Sequence, residues 1–159
     1  MLVMDKEHST DTIYFYAQTD AYAEFSNFAP YGVAFGDQWW PTVEHYFQAQ
    51  KFLDLEYRQR IRKSSKPKDA KALGMTRNVP LRDDWEAVKD DIMLAAVRAK
   101  FKTHEKPRKL LLSTGHSLIV ENAPMDAYWG CGPDGLGLNK LGQILMQVRE
   151  ELQFEAQKD

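Results

Sequence analysis

Cysteine is almost absent: Cys131 is the only one in 159 residues. A lone thiol excludes an internal disulfide and any multi-cysteine zinc site. Long apolar runs are missing too, and no stretch approaches the ~20 residues that a membrane-spanning helix needs. The opening segment MLVMDKEHSTD lacks an apolar h-region, so no secretion signal is expected there. Neither sign of charge dominates. The 21 Lys and Arg stand against 23 Asp and Glu, a net charge of −2, and no global field recruits nucleic acid or a membrane. The four histidines show no HExxH or HxxxH spacing, so no metal, and no other cofactor, is expected. A cytoplasmic location is the expectation these absences leave.

What is present suits one domain, since a chain of this length can bury a sizeable core unaided. Residues 1–11 are polar and expected to be flexible, which leaves 12–159 as the folded unit. Ile13 to Ala17 (IYFYA) has strand chemistry, and residues 20–31 read as loop. Gly32 to Trp40 predicts a hairpin turning at Gly36-Asp37, where glycine supplies the positive φ of a type II′ turn. Pro41-Thr42 opens a helix with Thr42 as N-cap. Further helices are expected at Asp54 to Arg62, from Lys66-Pro67 to Gly74, at Asp83 to Lys102 and at Lys106 to Leu112. In the longest, Trp85, Val88, Ile92, Ala95, Ala96 and Ala99 recur on one face. Ser117 to Val120 reads as a short strand and 121–139 as a long loop. Leu141, Ile144, Leu145, Val148 and Leu152 make an amphipathic final helix with Asn139 as its N-cap. The fold class is α+β, mostly helical with a small β-sheet.

Ionisable groups stand inside the most aromatic stretch, WWPTVEHYFQAQKF (Trp39 to Phe52). Glu44, Gln48 and Lys51 lie at i, i+4 and i+7, which stacks them on one helix face. They form either the wall of a pocket or a dipole pairing, with Glu44 in the first turn and Lys51 near the end. A second stretch, ENAPMDAYWGCGPDGLGLNKLG, carries five of the nine glycines between Gly130 and Gly142. Such glycines let backbone approach a ligand closely, and a helix N-terminus follows them. Asp126 and Trp129 set a carboxylate beside a flat ring. EFSNFAP places Ser26 and Asn27 between two phenylalanines, as a site or as a turn before Pro30. Arg58 to Lys71 holds seven basic residues against Asp69 alone, a solvated face or a phosphate track.

The blocks FSNF, WPTVEHYFQAQKF, RDDWEAVK, DAYWG and GLGLNKLGQILMQVRE follow one another between about Ile13 and Leu152. In order and spacing they resemble the YbiA-like family, also called NADAR, and most closely its bacterial YbiA branch. The resemblance implies one α+β catalytic domain with N-glycosidase activity. In the YbiA branch it implies reactive early riboflavin-pathway intermediates as substrates. These ribosylamino-pyrimidinone 5′-phosphates are split into ribose 5-phosphate and free pyrimidine. Other branches remove ADP-ribose from modified guanine in nucleic acid. The positions matching the family's motifs are Glu44, Lys51, Trp85, Asp126, Trp129 and Asn139. Related sequences often carry an acid after WG, where this chain has Cys131.

The residue types suit that reaction. Breaking a ribosyl C–N bond builds positive charge at the anomeric carbon, which a carboxylate stabilises while a second handles water or the leaving group. Glu44 and Asp126 are the expected pair. Lys51, among aromatics, is the expected amine for a Schiff base with the opened sugar. Trp85 and Trp129 are expected to stack on the base, and Asn27 and Gln48 to hydrogen-bond the substrate. Gly130, Gly137 and Asn139 are expected to receive the 5′-phosphate. The expected partner is thus a small phosphorylated N-riboside. An ADP-ribosyl-guanine hydrolase using Arg58 to Lys71 as a phosphate track is the alternative within enzymes. A nucleotide- or ADP-ribose-binding module without turnover is the alternative outside them.

Overall fold

Thr42 starts the helix on which the molecule is organised. Its backbone is extended and its side chain accepts from the His45 amide, which opens α1 at Val43–Ala49. His45 lies on the buried side of α1 and ties it to the rest. Its Nε2 lies 3.0 Å from the Ser64 carbonyl and its Nδ1 lies 2.8 Å from the Thr42 hydroxyl. A carbonyl can only accept, so Nε2 carries the proton. Burial also favours the neutral ring.

The computed structural model describes residues 11–158. The expectation for residues 1–11 falls outside the described residues, Asp11 excepted. Two more helices follow α1: α2 at Leu55–Arg62, capped by Asp54, and α3 at Pro67–Gly74, with proline in its first turn. The longest, α4, spans Trp85–Thr103, and α5 spans Glu105–Ser113. The last, α6, spans Lys140–Gln157. All six helices of the described residues fall within a few residues of where the sequence placed them. A single 3-10 turn, Ala23–Phe25, interrupts the segment read as loop and drives Phe25 into the core.

The expected small sheet is two separate ones. Strands β1 (Ile13–Phe15) and β4 (Ile119–Glu121) pair in parallel, with Phe15 opposite Glu121. Strands β2 (Val33–Phe35) and β3 (Gln38–Trp40) form the antiparallel hairpin, with Val33 opposite Trp40. The hairpin turns at Gly36-Asp37. Only Gly36 takes a positive φ there, +60°, as a type II′ turn requires.

The core joins Phe15, Phe25, Phe101, Leu111, Ile119 and Leu145, drawn from both ends of the chain. Two cations are buried with it. Lys100 donates to the Ser26 carbonyl at 2.9 Å, and Arg149 donates to the Thr114 hydroxyl and the Ser117 carbonyl. Among the described residues no helix is long and apolar enough to cross a membrane.

Candidate active site

Helix α1 turns Glu44 and Gln48 into a cleft of about 290 Å³, and Lys51, in the turn just past its end, joins them there. The segment following β4 brings Asp126, Tyr128 and Trp129 to the same cleft, and β4 itself ends in it with Glu121. Trp85, Lys89 and Met93 come from α4, Lys71 from α3, and Ser26, Asn27 and Phe28 from the segment before the hairpin. Five parts of the chain thus meet at one small cavity.

The charged groups are coupled. Glu44 is only 7% exposed. Its amide is anchored on the Asn27 carbonyl at 3.2 Å, and its Oε1 accepts from Gln48 Nε2 at 2.8 Å. Burial pushes its carboxyl above the usual range. The Gln48 bond and the charges of Lys71 and Lys51 oppose that rise, and Asp126 adds to it. Lys51 is partly buried and donates to the Gly74 carbonyl at 3.3 Å. Burial pushes its ammonium down, against the pull of Glu44. Gly74 marks a close approach as well as a helix end, since a Cβ there would sit 2.0 Å from Gln48 Oε1.

Asp126 shapes its own loop. Its Oδ1 accepts from the amides of Tyr128 at 3.0 Å and Trp129 at 2.9 Å, which leaves Oδ2 for the cleft. Trp129 lies edge-on to Phe47 at 5.3 Å and stays partly exposed. Trp85 lines the cleft too but is only 6% exposed, with its ring tilted against Phe47 at 5.1 Å. Asn27 lines the cleft, with Nδ2 directed at Met93 Sδ.

Gly130, Gly137 and Asn139 are not among the residues lining the cleft, and the expected phosphate cradle at the start of α6 is not formed. The amides of Lys140 and Leu141, at the start of α6, already donate to the Tyr128 and Trp129 carbonyls. Asn139 sits at the N-cap position with φ +52° and makes no side-chain cap. Its carboxamide spans instead to β4, accepting from the Glu121 amide and donating to the Ile119 carbonyl, both at 2.9 Å. A Cβ at Gly130 would lie 2.9 Å from the Glu121 carbonyl oxygen, and one at Gly137 would lie 2.6 Å from the Cys131 backbone. These glycines therefore pack backbone on backbone rather than on a ligand.

The basic run does not act as one track either. Arg58 donates to the Phe52 carbonyl, Arg62 donates to Gln59 and the Trp39 carbonyl, and Lys71 alone of the seven lines the cleft. Sequence reasoning took Lys71 only as the end of a basic run, and passed over Lys89, Tyr128 and above all Glu121. The signal for Glu121 was a charged residue closing an apolar strand, IVE. Among the described residues, no group of three or more His, Cys, Asp or Glu is placed to hold a metal ion.

Comparison with known proteins extends this picture. Residues 14–153 match the NADAR domain. The chain is 50% identical to "N-glycosidase YbiA" of Escherichia coli over 146 residues, covering 91% of each protein. The NMR structure of the E. coli protein YbiA superimposes with a TM-score of 0.86 at 49% identity, over 94% of this chain and 89% of that one. "Riboflavin biosynthesis protein PYRR, chloroplastic" of Zea mays is 39% identical over 160 residues, a match covering 91% of this chain and 26% of the maize protein. With the fold, the cleft and the domain match in agreement, the chain belongs to the NADAR family.

Proposed function

We propose that the chain is an N-glycosidase acting on ribosylamino-pyrimidinone 5′-phosphates, the reactive early intermediates of riboflavin synthesis. It hydrolyses the ribosyl C–N bond and releases ribose 5-phosphate and the free pyrimidine. The observation that carries the reading is the convergence of Glu44, Lys51 and Asp126 on one cleft of small-molecule size. The name N-glycosidase belongs to the E. coli relative and riboflavin biosynthesis to the maize one; both support the assignment.

The chemistry follows from the groups present. A ribosylamine opens to an imine at C1′. Lys51, made easier to deprotonate by burial, adds through its neutral amine to that carbon and gives an aminal. The pyrimidine amine leaves, the charge passes to the lysine nitrogen as an iminium, and water hydrolyses the iminium. Glu44 and Asp126 face the cationic carbon and stabilise it. Trp129 offers the base an exposed edge and face, and Lys71 at the rim supplies a cation for the 5′-phosphate.

The test uses wild-type protein and Glu44→Gln with a ribosylamino-pyrimidinone 5′-phosphate, reading released ribose 5-phosphate and thermal melting together. Wild type is expected to turn over. Glu44→Gln is expected to lose at least about a hundredfold in rate at near-unchanged melting temperature. A variant that keeps its rate but melts early would make Glu44 a helix-dipole partner only.

A further inference from the structure

The cleft holds a third carboxylate that the mechanism above does not use. Glu121 ends β4, and its backbone is fixed on both sides: its amide donates to Asn139 Oδ1 and its carbonyl accepts from the Cys131 amide, each at 2.9 Å. The side chain lines the cleft. Its Oε2 is sealed from solvent and has no hydrogen-bond partner, which leaves Oε1 as the oxygen that can meet a ligand.

The three carboxylates differ in what supports a negative charge. Glu44 accepts from Gln48, and Asp126 accepts from two backbone amides. Glu121 has no such donor on its buried oxygen. The charged groups acting on it are Asp126 from its own loop and Glu44 from α1, both of which repel its charge, and Lys71 from α3, which favours it. Three lysines line the cleft beside the three acids, but only Lys71 among them acts on Glu121; where acids crowd together, the one with the poorest hydrogen bonding and the least support from cations is the one that keeps a proton.

We infer that Glu121 is the general acid that protonates the departing amine, an inference that rests on the N-glycosidase reading. The step balances. The C1′–N bond breaks and its electron pair stays on nitrogen. The Glu121 carboxyl proton goes to that nitrogen, giving the free pyrimidine amine and a Glu121 carboxylate. C1′ becomes the iminium carbon of the Lys51 adduct. Water then adds at C1′, and the proton it sheds returns to Glu121. Burial, Asp126 and Glu44 together push the Glu121 carboxyl from 4.5 up to about 7, so an appreciable share is protonated near neutrality.

The experiment compares wild type with Glu121→Gln and Glu121→Asp in single turnovers of a ribosylamino-pyrimidinone 5′-phosphate across a range of pH. Wild type is expected to slow above about pH 7 as the acid is lost. Glu121→Gln is expected to fall by about a hundredfold or more and to lose that alkaline limb, while Glu121→Asp keeps the limb at a reduced rate. A purely structural role would lower the rate and leave the limb in place, which overturns the inference. Retention of the wild-type rate overturns it too, and in either case the N-glycosidase reading stands. If wild type itself releases no ribose 5-phosphate, that reading falls and this inference with it. Should Gln at position 121 unsettle the fold, the Glu121 carboxyl ¹³C resonance decides, assigned by its loss in Glu121→Asp. A midpoint near 7 supports the inference, and one near 4.5 overturns it.

Discussion

Replacing Lys100 by methionine should make the protein more stable near neutral pH, an advantage that is lost and then reversed in alkali. Lys100 is 1% exposed within α4, its Nζ 5.3 Å from the Phe101 ring and bonded to the Ser26 carbonyl. Burial pushes its ammonium from 10.5 down to about 7, with Glu24 opposing. The folded protein therefore binds this proton more weakly than the unfolded chain does. Between pH 7 and 10.5 the unfolded chain holds the extra proton, so stability climbs by about 1.4 kcal/mol for each pH unit. Below about pH 7 the whole penalty is in force, about 5 kcal/mol for that gap. Methionine removes it and leaves the buried Ser26 carbonyl without a donor, which costs about 1–3 kcal/mol. Lys100→Met should thus exceed wild type by about 2–4 kcal/mol near pH 6, and the advantage should shrink by about 3 kcal/mol between about pH 7 and about pH 9. Urea unfolding at a series of pH values measures both curves. An advantage that does not change with pH would mean that water reaches the ammonium and that the argument from burial fails.

Three further outcomes follow from the cleft. Gly74→Ala should push Gln48 off Glu44, because the new Cβ falls 2.0 Å from Gln48 Oε1; a rate loss beyond about tenfold with about 1–3 kcal/mol of destabilisation is expected, and an unchanged rate would show the Gln48 bond to be dispensable. Borohydride added during turnover should trap a sugar phosphate on the peptide containing Lys51, read by mass spectrometry. No adduct, with Lys51→Arg still active, would leave water attacking directly. Trp129→Ala should raise KM more than it lowers stability, since the ring is only partly buried; a stability loss of about 3–5 kcal/mol with KM unchanged would class it as core.

The sequence by itself determined the helices and the polar face of α1. Periodicity is a local property, and Glu44 and Gln48 share a face in any helix that contains them; Lys51, read as the third residue of that stripe, lies in the turn after α1 and reaches the same cleft from there. Thr42 announced a helix start because capping needs only neighbouring amides. The turn at Gly36 was legible for the same reason, a positive φ that glycine permits. Other features depended on long-range contacts. The pairing of β1 with β4 joins segments about a hundred residues apart, and no local pattern reports it. Asn139 looked like a cap from its neighbours, yet its carboxamide is spent on Ile119 and Glu121 across the fold. The glycines near it looked like room for a ligand, and the tertiary structure fills that room with backbone. Trp85 was read as a stacking plane; only packing decides how much of its ring the cleft keeps, and burial leaves it 6% exposed beside Phe47. Glu121 gained its place in the cleft the same way: one carboxylate at the end of a short strand became part of a triad once β4 brought it to Glu44 and Asp126. Helix phase and caps are fixed within a few residues of chain, whereas burial, and with it the charge state of an acid, exists only after distant segments meet.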